Sequence, residues 1–345
     1  LFRSGNINKY GTGKLTLTGS NTFAGYLKVY EGVLNVQHAN ALGSTNSSTY
    51  IFDDAWLELQ GGITVASETL CCCCGGSWRN VSENNTFTGQ VYMDSGRIDS
   101  SSGTLTISTT GIYFYGDLTI GGAGNTIVSA TISTSSGGGL VKEGTGTLTL
   151  GGYNSFDEAT VSEGVLAAQS SYALGSYGAV EVSSGAVLEL SGGVYLSVNS
   201  LTLSGTGVSN DGVLRNVSGN NTLYGTITLN SDSRINSDSG TLALSSYSGI
   251  GGVYSLTFGG AGNIDVSSGI AVTGLYGLTK DGSGTLTLSG SNSYSGNTAV
   301  QNGRLVVAGY GGSLPNSTVV TLGNGTDSGV LQLGDLNYYV SQTVA

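Results

Sequence analysis

The chain has 345 residues, of which 59 are glycine and one is proline, and its formal net charge is −11. Disordered glycine-rich linkers lack its 38% share of hydrophobic residues, and collagen requires abundant proline in a strict three-residue period. The eleven Lys and Arg residues are scattered, so the basic cluster that nucleic-acid binding requires is missing. No apolar run reaches the about 20 residues that span a bilayer.

In chain order, the predicted elements are short strands that recur in copies of one segment. The copies begin at Lys9, Lys142 and Lys280, which are 133 and then 138 residues apart. Each copy reads Gly-Thr/Ser-Gly-x-Leu-Thr-Leu-x-Gly-x-Asn-Thr/Ser followed by Phe or Tyr. Further matches pair the first two super-repeats: 31–34 with 163–166, 41–44 with 173–176, 56–59 with 187–190, 79–86 with 215–222, and 121–125 with 259–263. We predict one continuous solenoid over residues 1–345, with super-repeats at about 9–141, 142–279 and, in part, 280–345.

Within each super-repeat, apolar and polar residues alternate over short stretches such as Thr145–Leu150 and Val161–Leu166. Gly, Asn or Ser closes each stretch, as is typical of half-buried strands. No apolar spacing holds the helical period, so no helix is predicted. Strand pairs recur roughly every 20 residues, which corresponds to about six turns per super-repeat.

A single turn of this size buries too little apolar surface to offset its backbone entropy, so the turns must stack and share a core. We therefore predict an all-β fold, a right-handed parallel β-helix (β-solenoid). It would form a single elongated rod of roughly 16 turns and about 80 Å at the strand spacing of parallel sheets. Asn21, Asn154 and Asn292 are predicted at corners, where their side chains satisfy neighbouring backbone amides.

These segments resemble the autotransporter-associated β-strand repeat of bacterial type V secretion passengers, over residues 11–44, 144–176 and, more loosely, 282–313. The stretch from Arg215 to Leu244 is similar to intervening repeats of large surface proteins of this type. The resemblance implies a right-handed β-helix that is secreted across an outer membrane and displayed on, or shed from, the bacterial cell surface. It associates the repeat with translocation and extension rather than catalysis.

The sequence departs from that family in two respects. No membrane β-barrel follows Ala345, and no signal peptide precedes Leu1. Either both lie outside this segment, or the chain is secreted by another route and assembles with copies of itself.

A serine-nucleophile site is the first catalytic candidate. The tripeptide Asp-Ser-Gly begins at Asp94, Asp238 and Asp327. A catalytic triad also needs a base, and His38 is the only histidine. The tripeptide is expected in turns of a chain rich in serine and glycine, so we predict no catalysis at these serines.

Polysaccharide cleavage is the stronger enzymatic alternative, because right-handed β-helices often carry it and it needs converging carboxylates. The candidate groups are Asp53, Asp54 and Glu58, and separately Asp157 with Glu158. Consecutive strand residues face opposite sides of a sheet. We therefore interpret these acids as solvated turn residues.

Several charged residues recur at equivalent places in the first two super-repeats, which indicates structural roles because a catalytic site is needed once. The recurring pairs are Glu31 and Glu163, Glu58 and Glu189, Arg79 and Arg215, and Arg97 and Arg234. We predict that Arg79 and Arg215 cap backbone carbonyls or cover turns. The calcium β-roll pattern is half present, with Thr126 and Ile264 where the acid should be, so no metal site is predicted.

The four cysteines are consecutive, Cys71–Cys74. Zinc sites need at least two residues between paired ligands, and neighbours on a strand face opposite ways. The run is interpreted either as an exposed crossing loop that allows intermolecular disulfides, or as a local sequence error.

Glycosylation sequons and tyrosines are both abundant. The sequons lie at Asn46, Asn80, Asn84, Asn216, Asn220, Asn316 and Asn324. They are expected from composition and matter only in a glycosylating compartment. The 19 tyrosines could stack on sugars from the outer faces, but core packing or corners are the default interpretation.

We predict a secreted, extracellular structural or adhesive stalk of a bacterial cell surface, with no active site, no cofactor and no metal. The predicted partners are cell-surface glycans and other copies of the chain. End-to-end stacking into a filament is favoured because Asn6–Lys9 and Leu331–Asp335 lack polar caps. The alternative function is that of a polysaccharide-binding or polysaccharide-cleaving β-helix.

Overall fold

A computed structural model describes residues 5–44, 48–175, 177–274, 276–309 and 312–334. The described residues form thirty-five β-strands and one 3₁₀ turn, Val208–Asn210, but no α-helix. The all-β prediction is therefore confirmed. Features of the sequence that lie outside the described residues are the chain start at Leu1, the sequon at Asn46, Ser176 of the second repeat, and Asp335.

The chain divides into two compact units. The first comprises Leu1–Thr160, Gly164–Leu166 and Tyr172–Ser176, and the second comprises Val161–Glu163, Ala167–Ser171 and Tyr177–Ala345. The strands that lie wholly in the first unit are β1 (Ile7–Lys9), β2 (Lys14–Leu17), β3 (Leu27–Val29), β4 (Val33–Val36), β5 (Ser48–Phe52), β6 (Trp56–Leu59), β7 (Thr64–Val65), β8 (Thr69–Cys73), β9 (Ser77–Asn80), β10 (Asn85–Phe87), β11 (Val91–Ser100), β12 (Thr104–Ile107), β13 (Ile112–Gly121), β14 (Asn125–Val128), β15 (Ile132–Thr134), β16 (Leu140–Lys142) and β17 (Thr147–Leu150).

Two further strands, β18 (Glu158–Val161) and β19 (Gly164–Ala168), contain residues of both units. The strands of the second unit are β20 (Ala179–Val182), β21 (Ala186–Ser191), β22 (Tyr195–Gly205), β23 (Leu214–Ser218), β24 (Asn220–Ser237), β25 (Thr241–Ser245), β26 (Ile250–Gly252), β27 (Leu256–Gly259), β28 (Asn263–Val266), β29 (Ile270–Val272), β30 (Leu278–Lys280), β31 (Thr285–Leu288), β32 (Thr298–Val300), β33 (Gly303–Val307), β34 (Val320–Leu322) and β35 (Gly329–Leu333).

Three parallel ladders build the first unit. The first ladder contains β1, β3, β5, β8, the first halves of β11 and β13, and β15. The second contains β2, β4, β6, β9, the second halves of β11 and β13, and β16. The third contains β7, β10, β12, β14 and β17. Each strand pairs with one about a turn away in sequence, as Ile7 does with Leu27, so the predicted stacking of turns is confirmed.

The second unit also has three parallel ladders. One contains β20, the second half of β22, the middle of β24, β26 and β29. Another contains β21, β23, the last part of β24, β27, β30, β32 and β34. The third contains the first halves of β22 and β24, then β25, β28, β31, β33 and β35.

The alternating residues explain the burial in both units. In β12, Leu105 and Ile107 are fully buried, while Thr104 and Thr106, which alternate with them, are half-buried on the outer side. Because side chains in a strand alternate between faces, each strand places its inward apolar residues in a core shared with the turns on either side. The fold is thus a parallel β-solenoid, with about 15 turns against the roughly 16 predicted. The right hand and the single continuous rod stay predictions.

The copies of the repeat do not begin on the same ladder. Lys9 ends β1 in the first ladder, whereas Lys142 ends β16 in the second. The second copy therefore begins one face later than the first. Equivalent residues of these two copies consequently lie on different faces and cannot form a common surface column.

Candidate functional site: outward charges and aromatic pairs

A network of charged and amide side chains lies on the outer side of the second ladder of the first unit. Glu58 on β6 accepts hydrogen bonds from Arg79 at 2.5 Å and from Asn35 at 2.9 Å, and forms an ion pair with Lys14 at 2.8 Å. These neighbours cover the carboxylate, so Glu58 is only 1% exposed. Burial alone would raise the pKa of Glu58, but the hydrogen bonds from Lys14 and Arg79 outweigh it and lower that pKa.

An equivalent network lies in the second unit around Arg215 on β23. Its guanidinium contacts Asp238 at 2.7 Å and Glu189 at 3.2 Å. Burial raises the pKa of Glu189, and the nearby Asp238 adds to the effect against the opposing influence of Arg215. Of the two roles predicted for Arg79 and Arg215, capping of backbone carbonyls is wrong, because carboxylates of neighbouring turns are their hydrogen-bond partners. The other role, covering turns, stays a prediction.

A second recurring device joins residues two turns apart. Arg97 on β11 reaches Glu143 at 2.5 Å, passing over Gly121 on the intervening strand β13. Arg234 on β24 reaches Asp281 at 2.6 Å, passing over Gly259 on β27. A Cβ atom at either glycine would collide with the guanidinium. The glycines that resembled half of a calcium motif therefore make room for an arginine to bridge two turns.

We expect Gly259→Ala to raise the energy of the folded state by displacing Arg234 from Asp281, at a cost of about 1–2 kcal/mol. In an Arg234→Met background the same change should cost less, because the displaced guanidinium is gone. Urea unfolding of the four proteins in a double-mutant cycle measures this coupling. Gly251→Ala is the control, since a Cβ there meets nothing within 4 Å. Fully additive costs would contradict the bridge.

The repeated lysines and asparagines serve the backbone at the corners. Lys9, Lys142 and Lys280 are buried, and each ammonium group donates hydrogen bonds to carbonyl oxygens of its own corner. The ammonium groups of Lys9 and Lys280 also donate to a carbonyl of the following turn. The Oδ1 atoms of Asn154 and Asn292 accept from amides of the preceding turn at 2.9 and 3.0 Å. The predicted bond to backbone amides is thus confirmed for Asn154 and Asn292. Asn21 contacts backbone carbonyls, donating to that of Ala41 at 2.9 Å, and its predicted bond to an amide stays a prediction.

The carboxylates proposed for polysaccharide cleavage do not form one cluster around Glu58. Asp53 and Asp54 are exposed in a tight turn, with Asp53 at φ +45°, whereas Glu58 is buried in its ion pairs. Asp157 and Glu158 are both exposed where β18 begins. The interpretation of Asp53, Asp54, Asp157 and Glu158 as solvated residues agrees with this placement. For Glu58 it is wrong, because Glu58 lies within strand β6 and its carboxylate is covered by its ion-pair partners.

The structure does not bring the predicted serines to the histidine. The Ser95 hydroxyl contacts the Tyr115 carbonyl at 3.4 Å, and the Ser239 hydroxyl donates to the Val217 carbonyl at 3.0 Å. The Nδ1 atom of His38 accepts from the Asn40 amide at 3.1 Å. In the third copy, Asp327 closes a turn with Asn324 at 2.7 Å.

The cysteines lie mostly in a strand, so the prediction of a crossing loop is wrong. Cys71 and Cys73 are half-buried on the outer side of β8, Cys72 points into the core, and Cys74 is exposed in the following turn at φ +54°. All four are free thiols. Burial raises the pKa of Cys71 to about 11 and raises that of Cys72 further, so both are protonated at neutral pH. The alternative of a sequence error stays open.

Two of the sequons are inaccessible in the folded chain. Asn80 and Asn216 are fully buried, and each donates hydrogen bonds to carbonyl oxygens of its own corner and of the next turn. Four sequons are exposed: Asn84, Asn220, Asn316 and Asn324. Asn80 and Asn216 therefore have a structural role that explains why they recur in both super-repeats. Sequence reasoning could not distinguish these buried asparagines from those of the exposed sequons.

Outward tyrosines pair across successive turns in both units. The pairs are Tyr10–Tyr30, Tyr26–Tyr50, Tyr92–Tyr113, Tyr153–Tyr172, Tyr224–Tyr247 and Tyr254–Tyr276. None of these twelve side chains is buried, so core packing is wrong for them. Tyr294, by contrast, is buried in the second unit.

Two searches of the described residues concern metals and membranes. Across residues 5–334, apart from the undescribed gaps, no three or more His, Cys, Asp or Glu side chains are grouped to hold a metal ion. Within the same residues, no helix has the length and apolarity needed to cross a bilayer.

Comparison with known proteins identifies three segments. Residues 7–36, 140–168 and 278–307 match the passenger-associated-transport-repeat family. Each matched segment contains one copy of the glycine-rich strand motif found in the sequence, so the resemblance to the repeats of autotransporter passengers is confirmed. No curated protein and no solved structure matches the chain.

Proposed function

Because three segments of this chain are passenger-associated-transport-repeats, we propose that it serves as an extracellular structural stalk of a bacterial surface protein. The repeats and the parallel β-solenoid fit an autotransporter passenger β-helix. The observation that supports a structural role is the repetition of side-chain bonds between turns. Buried lysines and asparagines bond to an adjacent turn, and arginine bridges join turns that are two apart. The function of such a stalk is to extend and to resist unfolding.

The stalk proposal extends to surface display and adhesion without catalysis. Ion pairs within the fold already engage the charged groups of Glu58, Arg79, Arg97 and Arg234. A carboxylate held in two ion pairs is a poor proton donor, because those pairs stabilise its charged form. We therefore propose that the chain has no active site and needs no cofactor.

Small-angle X-ray scattering of the purified chain tests the stalk. A rod of about 15 turns at the parallel strand spacing gives an asymmetric distance distribution that extends to about 70 Å. A symmetric, bell-shaped distribution would contradict the proposal.

We also propose that copies associate end to end, since an unpaired terminal strand of a parallel ladder presents backbone N–H and C=O groups to another copy. Electron microscopy at high protein concentration is the test. Filaments much longer than one chain are expected, and isolated short rods would contradict association.

A second candidate function is the binding of surface polysaccharides, and the outward tyrosine pairs favour it. Tyrosine combines a large apolar ring with a hydroxyl, which suits contact with sugars. Eight of the paired tyrosines are more than 40% exposed, including Tyr10, Tyr153 and Tyr247. Incubation with a panel of neutral and acidic polysaccharides separates the alternatives: retention without change indicates binding, and release of reducing or unsaturated ends would overturn the proposal of a non-enzyme.

A further inference from the structure

One tyrosine pair differs from the others in distance and in position. The ring centroids of Tyr153 and Tyr172 lie 4.2 Å apart, the shortest separation among the aromatic pairs of the described residues. Both rings are open to solvent, with Tyr153 57% and Tyr172 45% exposed. The two residues belong to the first unit and sit on successive turns, 19 positions apart. Two phenol rings thus lie side by side at the surface of the first unit.

Neither residue of this pair lies within a strand. Tyr153 lies between β17 and β18, and Tyr172 lies in the turn that follows β19. Their rings are already tilted by 30°. Tyr92 and Tyr113 are instead held inside long strands with centroids 5.5 Å apart.

The stacked pair near the start of the chain is less suited to a reaction that joins the two rings. Tyr10 and Tyr30 are 4.8 Å apart with planes within 2°. The other face of Tyr30 is covered by Phe52 at 5.0 Å. A ring packed on both faces cannot turn its edge toward its neighbour, which ring coupling requires.

We propose that Tyr153 and Tyr172 form a site of oxidative coupling, at which a carbon–carbon bond between the two phenol rings joins successive turns covalently. The oxidant is hydrogen peroxide acting through a haem peroxidase. Each phenol loses the hydrogen of its O–H bond, and the two radicals join through ring carbons beside the hydroxyls. The two hydrogens on those carbons then move to the oxygens and restore both phenols. The peroxide takes up the two electrons and two protons removed and becomes two water molecules.

The pairing explains why the reaction would stay within one chain. Radicals that form on neighbouring rings meet at once, whereas a radical on an isolated exposed tyrosine must find a second chain by diffusion. A bond between turns acts as a cross-link and restrains the unfolded chain more than the folded one. Only the presence of an oxidant in the natural setting rests on the proposed extracellular function; the coupling itself does not.

Peroxidase and hydrogen peroxide applied to the dilute folded chain test the proposal. Glutamyl endopeptidase cuts after Glu158 and Glu163, which lie between the two tyrosines. We expect a linked pair of peptides, residues 144–158 joined to 164–181, with a mass two hydrogens below their sum and the fluorescence of a tyrosine dimer. Its yield should not depend on protein concentration, and it should be lost when the chain is unfolded in urea before oxidation.

Variants that keep the ring identify the residues. Tyr153→Phe and Tyr172→Phe should each abolish the linked peptides, while circular dichroism stays that of the parent. Tyr177→Phe is the matched control, because Tyr177 is 72% exposed in the same peptide as Tyr172, and it should leave the yield unchanged. Linked peptides that persist in Tyr153→Phe, or that rise with protein concentration, would overturn the assignment. Failure of the stalk proposal in scattering would leave this result unaffected.

Discussion

We expect Gly138→Ala to lower the free energy of unfolding by about 3 kcal/mol, at the upper end of the cost of overpacking. Gly138 is buried at the corner between β15 and β16. A Cβ atom there would lie well inside contact distance of the Gly116 carbonyl oxygen on the preceding turn, and 3.1 Å from the Phe114 ring. The obstructing atom belongs to the backbone, so it cannot rotate away. The turns would have to separate and weaken their hydrogen bonds.

Chemical denaturation monitored by circular dichroism measures this cost. Gly19→Ala is the matched control in the same unit, because a Cβ there meets nothing within 4 Å. The control should change the free energy of unfolding by a few tenths of a kcal/mol, the difference expected for a surface site. Equal effects of the two substitutions would show that the turns do not approach as closely as the structure has them.

We expect Glu68→Gln to stabilise the chain progressively as the pH rises from 4.5 to about 7, and to have little effect below pH 4.5. Glu68 is 3% exposed, and its carboxyl accepts a hydrogen bond from Thr49 at 2.8 Å. Burial raises the pKa of Glu68 to about 7 from an ordinary value of 4.5. Between these values the unfolded chain releases a proton that the folded chain retains, so rising pH favours unfolding. The loss approaches about 3 kcal/mol once pH exceeds 7.

Urea unfolding of parent and variant at a series of pH values tests this expectation. The free-energy difference between them should be near zero below pH 4.5 and grow to its full value by about pH 8. Glutamine keeps the oxygen that Thr49 contacts, so the comparison isolates the charge. Glu31→Gln, at an exposed position, is the control and should show no such pH-dependent gain. A difference that is constant across the pH range would contradict a buried, neutral Glu68.

Sequence reasoning succeeded where the role of a residue depends only on its own strand or corner. The alternation in Thr145–Leu150 predicts a strand with leucines inside, and β17 has that pattern. The corner asparagines, including Asn154, were also predictable, because an amide side chain can serve backbone groups next to it. These inferences need no knowledge of which turn lies above which.

The same reasoning failed for Cys71–Cys74, and the cause is specific. Four identical residues contain no alternation, so a period-two pattern could not reveal the strand. In the structure, Cys72 replaces an aliphatic residue inside the core and Cys71 and Cys73 face outward. The neighbouring strands β5 and β11 impose the extended conformation through their hydrogen bonds. Local composition was overridden by pairing with the turns on either side.

The amino-acid sequence by itself determined the all-β class, the stacking of turns and the family of its repeats, since strand period and glycine spacing are properties of nearby residues. Only the tertiary structure decided which charged side chains form ion pairs with each other. Arg97 and Glu143 are 46 positions apart in sequence but 2.5 Å apart in space, and the register that aligns them depends on every turn between them. Gly121 and Gly259 lie beneath the arginines of the two bridges. A glycine is required at these positions only because that register places an arginine side chain over them.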